Sequence, residues 1–122
     1  MKVSGGLIDR LGRWTAKSAD RAKDLDVKLA YRSANHDYSN GAVVELINDN
    51  WLVTYQVWEN QIPQTSLSVM NVPTRAIWFR DSEPANPDDL DQDLDAVLDA
   101  FEYDDFSSLR PESISQKEPP NV

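Results

Sequence analysis

The chain has 122 residues, a formal net charge of −9, no cysteine and one histidine. That length holds one domain around a single core; the lack of thiols excludes disulfides, thiolate metal sites and a cysteine nucleophile, and a lone histidine does not suit a zinc site. No apolar run approaches the ~20 residues of a membrane span, and the charges inside MKVSGGLIDRLGRW do not suit a signal peptide, so a soluble cytoplasmic protein is expected.

Leu7 to Ala22 reads as a first helix, with Leu7, Ile8, Leu11 and Trp14 sharing one face and Arg10, Arg13, Lys17 and Arg21 falling mostly on the other side. Strand patterns follow. Residues 26–32 alternate polar and apolar, with Val27, Leu29 and Tyr31 inward. After the turn-forming stretch SANHDYSNG come Gly41–Ile47, the tight connection Asn48-Asp49-Asn50, and Trp51–Trp58, the strongest β signal in the chain. Trp51 and Trp58, seven residues apart on one strand, must project to opposite faces. Thr65–Val72 and Thr74–Phe79 read as two more strands separated by Pro73.

The last element is NPDDLDQDLDAVLDAFEYDD. Asn86 suits an N-cap and Pro87 the first helical position. Leu90, Leu94, Val97, Leu98 and Phe101 form a core-facing stripe about 100° wide. Beside it lies an acidic flank of Asp91, Asp95, Asp99 and Glu102. From Asp81 to Asp105 there are eleven acids and no base. Helix-dipole arguments explain only the first turn, where Asp88 and Asp89 sit. Like charges four residues apart oppose the helix by a few tenths of a kcal/mol per pair. The flank is therefore expected to lie in solvent, for solubility or for a partner. After Phe106 the chain turns polar and proline-rich, so residues 1–106 read as one domain and 107–122 as a flexible tail anchored at most by Phe106 and Leu109.

The order helix, five strands with short connections, helix predicts an α+β domain: a mainly antiparallel five-stranded sheet, with the acidic C-terminal helix packed on one face. Charge is unevenly spread. Residues 1–35 carry eight Lys/Arg against four Asp, whereas residues 36–122 carry four against seventeen acids. An acidic surface repels bare nucleic acid and anionic membrane and attracts basic proteins.

Chemistry is thin. His36, beside Asp37 in the turn NHDY, is the one candidate base, and a solvated turn residue is the simpler reading. The aspartate run fails as a calcium loop, because its sixth position is Asp93 rather than glycine and its leucines impose a helix. Solvated acids on a helix flank are not tuned catalytic carboxylates, and neither a phosphate-cradling glycine loop nor a GxSxG serine is present. The sequence points away from an enzyme and calls for no metal or cofactor.

The segments DVKLAYRS, GAVVELINDNWLVTYQVWEN, SLSVMNV and DLDQDLDAVLDAF, spread over about residues 7–103, resemble the small acidic immunity proteins of bacterial polymorphic toxin systems, of the TriTu type. The specific element is Val57-Trp58-Glu59; Asn60-Gln61 stands where that motif would continue Ser-Gly. The resemblance implies a non-enzymatic cytoplasmic inhibitor that binds a cognate, typically basic toxin. Its partner surface is then expected at Asp88, Asp91, Asp95, Asp99 and Glu102, with Trp58 and Glu59. The same acids would also suit a phage- or plasmid-encoded mimic of DNA charge that occupies a host nucleic-acid-binding protein.

Overall fold

The computed structural model describes residues 6–33, 40–59, 64–82 and 87–109. Its elements are α1 (Leu7–Asp24), β1 (Lys28–Ser33), β2 (Gly41–Ile47), β3 (Trp51–Trp58), β4 (Gln64–Asn71), β5 (Ile77–Ser82), α2 (Pro87–Tyr103) and a short 3₁₀ turn, Ser107–Leu109. The five strands form one antiparallel meander in the order β1-β2-β3-β4-β5. The α+β architecture expected from the sequence is the one observed. Among the described residues no helix is long and apolar enough to cross a membrane.

Alternation along the strands sorts the residues into two faces. Val44 and Leu46 of β2, Val53, Tyr55 and Val57 of β3, and Leu67 and Val69 of β4 point to one side. There they join Leu7, Leu11 and Trp14 of α1 and the predicted stripe of α2, Leu90 to Phe101, in a single buried cluster. Both helices therefore cover the same face. Trp51 and Trp58 do part company: Trp51 packs inward, its ring 4.7 Å from that of Phe106, while Trp58 alternates to the outer face.

Topology fixes the direction of the helices. Helix α1 reverses through Leu25-Asp26 into β1, and α2 follows β5. In a meander with an odd number of strands β1 and β5 run the same way, so α1 and α2 lie side by side in parallel. Their side-chain contacts agree: Arg10 meets Asp91, Trp14 meets Asp95, and Arg21 meets Glu102, each pair separated by the same 81 residues of sequence.

Several boundaries differ from the sequence reading for identifiable reasons. Helix α1 runs on to Asp24, and β1 begins later than residue 26 because Asp26 is spent on ending the helix. Asp26 sits at φ 62°, with the Val27 N–H donating back to the Ala22 carbonyl at 2.8 Å. Helix α2 ends the same way, with Asp104 at φ 56° and the Asp105 N–H donating to the Ala100 carbonyl. These are Schellman closures made with aspartate where glycine is usual. Strand β5 starts at Ile77 rather than Thr74, since Asn71 closes the hairpin: its side-chain oxygen accepts from the Thr74 N–H and hydroxyl, and Arg75 takes up φ 66°. The packed chain also extends past Phe106. Leu109 is buried, and its carbonyl accepts from Arg80, so residues 107–109 belong to the domain and not to a tail. Asn86, His36 and residues 110–122 lie outside the described residues.

The left-handed backbone at Asp26 makes a prediction. Replacing Asp26 with glycine removes a Cβ from a conformation that costs L-residues on the order of 1 kcal/mol. Asp26→Gly should therefore raise the urea midpoint of unfolding, by about 0.5–1 kcal/mol of stability after the flexibility gained by the unfolded chain is subtracted.

Candidate functional site

The acidic flank of α2 is not turned to solvent alone. It meets the basic stripe of α1. Arg10 Nε donates to Asp91 Oδ1 at 3.3 Å, and Lys17 Nζ reaches Asp91 Oδ2 at 3.4 Å. Trp14 Nε1 donates to Asp95 Oδ1 at 2.9 Å. Arg21 bridges Asp99 and Glu102. This corrects the expectation of a solvated flank that local stability does not explain. The flank sits beside the apolar stripe, and in parallel helices seated on one sheet that side faces the neighbouring helix.

The spacing shows why the helices fit. Arg10, Trp14, Lys17 and Arg21 advance by four, three and four residues, and Asp91, Asp95, Asp99 and Glu102 by four, four and three. Each set lies along one side of its helix. Parallel helices also align their dipoles side by side, which is mildly repulsive. Acids in the second half of α2 and bases in the first half of α1 each oppose their own helix dipole. Pairing across the seam offsets both penalties.

Three further carboxylates of this region are engaged too. Asp93 leaves α2 on the opposite side, where it accepts from Tyr55 Oη at 3.3 Å and pairs with Arg80 at 3.2 Å. Asp104 accepts from Trp51 Nε1 at 2.6 Å. Asp105 accepts from the Ser107 N–H, which holds its carboxyl below the usual range. Burial pushes the Tyr55 phenol well above its ordinary value; the hydrogen bond with Thr65 acts the other way, and the charge of Asp93 adds to the rise.

Glu59, the acid of the Val57-Trp58-Glu59 motif, serves the opposite end of α1. Helix α1 has no side-chain cap of its own at Gly6. Instead Glu59 Oε2 accepts from the Ile8 N–H at 2.6 Å, placing a carboxylate at the positive end of the helix dipole. A Cβ at residue 6 would press on that carboxylate, so a side chain there would displace the Glu59 head from the cap. Glu59 also walls an open groove of about 690 Å³ between α1 and β1, beside Asp9, Gly12 and Tyr31. Tyr31, expected inward, stays more than a third exposed, because β1 is an edge strand and Gly12 offers it no side chain. Its phenol is raised by partial burial and by the charges of Asp9 and Glu59.

Of the residues assigned to a partner, the structure brings Asp91, Asp95, Asp99 and Glu102 together on the seam. Trp58 and Glu59 lie elsewhere: Trp58 is half-buried on the outer sheet face, and Glu59 is at the α1 cap. The side chain of Asp88 lies outside the described set. Asp99 and Glu102 keep about half of their side-chain surface in water, whereas Asp91 is three-quarters covered. Asp20, Asp24 and Tyr103 were missed. All three are exposed near the C-terminal ends of the helices, and Tyr103 retains 75 % of its surface. Helical-wheel angles place Asp20 and Asp24 away from the α1 core stripe, and the parallel helices bring them to the same end as the C-terminus of α2. Among the described residues no group of three or more histidines or acids is arranged to hold a metal ion. No family model, curated protein or solved structure matches this chain.

Two outcomes follow from the seam and its surroundings. Trp14 is 1 % exposed, so Asp95→Ala strands a buried indole N–H and should destabilise the fold by about 1–3 kcal/mol. Arg21→Ala removes only half-exposed pairs and should cost about 1 kcal/mol or less; chemical denaturation of both variants gives the order. The raised Tyr55 phenol holds its proton in the folded state beyond the pH at which the unfolded chain releases it. Its contribution is therefore complete below about pH 10 and falls as pH rises further. Tyr55→Phe should flatten that alkaline loss in a pH series of unfolding curves.

Proposed function

We infer that this chain is a non-enzymatic, cytoplasmic protein-binding inhibitor of the immunity type, which neutralises a basic toxin domain by occupying its surface. The carrying observation is the shared negative pole of the helix layer. Because α1 and α2 are parallel, both C-termini lie at one end, each equivalent to about half a negative charge. Exposed around them are Asp20, Asp24, Asp99, Glu102, Asp104 and Asp105, against Arg21 and Lys23. Tyr103 stands among them, a large exposed aromatic of the kind that anchors protein interfaces. The seam spends the bases of α1 on the acids of α2, so the excess of acid is left to the surface.

Negative potential of this kind steers a cationic partner and lifts association towards ~10⁸ M⁻¹s⁻¹ at low salt. The reading supports Asp99 and Glu102 as partner contacts, and it moves Asp91 and Asp95 from contact to scaffold. Asp20 and Asp24 are the residues to test, since altering them leaves the seam intact. The full chain, tagged, is used to capture partners from its native host. A basic protein should be recovered, and Asp20→Lys with Asp24→Lys should slow its association roughly tenfold at low salt and flatten the salt dependence. Tyr103→Ala should speed dissociation. Unchanged association and dissociation in these variants would overturn the reading. Competition between the captured protein's DNA and this chain would instead favour a mimic of DNA charge.

A further inference from the structure

Among the described residues both helices lie on one face of the sheet and neither covers the other, although Val43 on that outer face is itself only 2 % exposed. On that outer face the strand register sets Ile47, Leu52, Met70 and Ile77 in one row across β2 to β5. Ile47, Ile77 and Phe79 are exposed to 38, 49 and 57 %. Apolar side chains shown to water in a continuous row mark a surface that meets another. Apart from Glu45 on β2, which pairs with Arg32, the charges of this face stand on its edge strands. Lys28 and Arg32 stand on β1, and Asp81 stands on β5 directly across the sheet from Arg32 in the same row.

We propose that this face is the contact between two copies of the chain, packed sheet on sheet about a two-fold axis parallel to β3. Aligned packing of this kind brings two sheets face to face about 10 Å apart. Only two arrangements keep both a two-fold axis in the interface and aligned strands. With the axis across the strands, β1 lies over β1 and Lys28 meets Arg32 of the second copy, base against base. With the axis along the strands, β1 lies over β5. Arg32 then meets Asp81 of the second copy, Phe79 covers the small Ala30, and Leu52 meets Leu52. Charge and size both select the second arrangement. Arg32 already pairs with Glu45 on its own face at 3.4 Å, so in the dimer its guanidinium lies between two carboxylates.

Area sets the strength. Five strands about 4.8 Å apart and seven residues deep give a face of about 24 by 24 Å, or roughly 1,100 Å² over two copies. That is at the lower end of specific interfaces, the range of weak, concentration-dependent association. The helix layer stays outside this contact, so the negative pole remains free in the dimer.

Sedimentation of the full chain tests this without any other partner. Over roughly 1 to 200 µM, which brackets an interface of this size, the mass should rise from 13.8 kDa towards twice that value. Leu52→Lys sets two ammonium groups against each other on the axis and should raise the dissociation constant roughly tenfold or more, as central interface residues do. Its circular dichroism should stay that of the parent, because Leu52 lies outside the core cluster. Asp81→Lys should weaken the dimer, and Arg32→Glu added to Asp81→Lys should restore it. A single mass of 13.8 kDa at all concentrations, a dimer indifferent to Leu52→Lys, or a double variant no better than Asp81→Lys alone would each overturn the proposal.

Discussion

Everything in this fold leans on the contact between the two helices. An odd-stranded meander that begins and ends with a helix must lay those helices in parallel on its face. Side by side they repel weakly through their dipoles, and each carries charges that its own dipole disfavours. The match of Arg10, Lys17 and Arg21 to Asp91, Asp99 and Glu102, with the Trp14 indole bound to Asp95, turns these small penalties into a joined layer. The pairs of Lys17 and Arg21 are exposed and weak, and that of Arg10 with Asp91 is about a quarter exposed. The indole–carboxylate bond differs, because its donor is buried and has no water to fall back on.

The layer divides the molecule by side. Beneath it lies the apolar core, closed at one end by Phe106, whose ring meets those of both Trp51 and Phe101. Above it the parallel helix ends pool negative potential at one pole. On the far side of the sheet, which neither helix covers, an apolar row runs across β2 to β5. This arrangement separates an electrostatic pole from an apolar face by the full thickness of the domain.

Much of the fold was readable in advance. Strands β2 and β3 begin and end where their patterns do, since the turn residues that bound them, Gly41 and Asn48, act locally. The core stripe of α2 was legible for the same reason, because five apolar residues within a 100° arc leave one way to bury them. Asp26 and Asp104 were not read as helix ends, since aspartate, although it tolerates a left-handed backbone, is as common on the exposed faces of these helices. Glu59 was read as part of a partner motif, and its cap on α1 spans 51 residues of sequence that no local pattern connects.

Composition and periodicity settled which elements form and which of their faces are greasy, because burying apolar surface depends on spacing along a single element. They also settled that acids outnumber bases after residue 35. Where those acids point was decided by how the elements meet. A flank beside an apolar stripe borders either water or a neighbour, and the wheel is the same for both. The strand count made the helices parallel, and that placed the bases of one against the acids of the other.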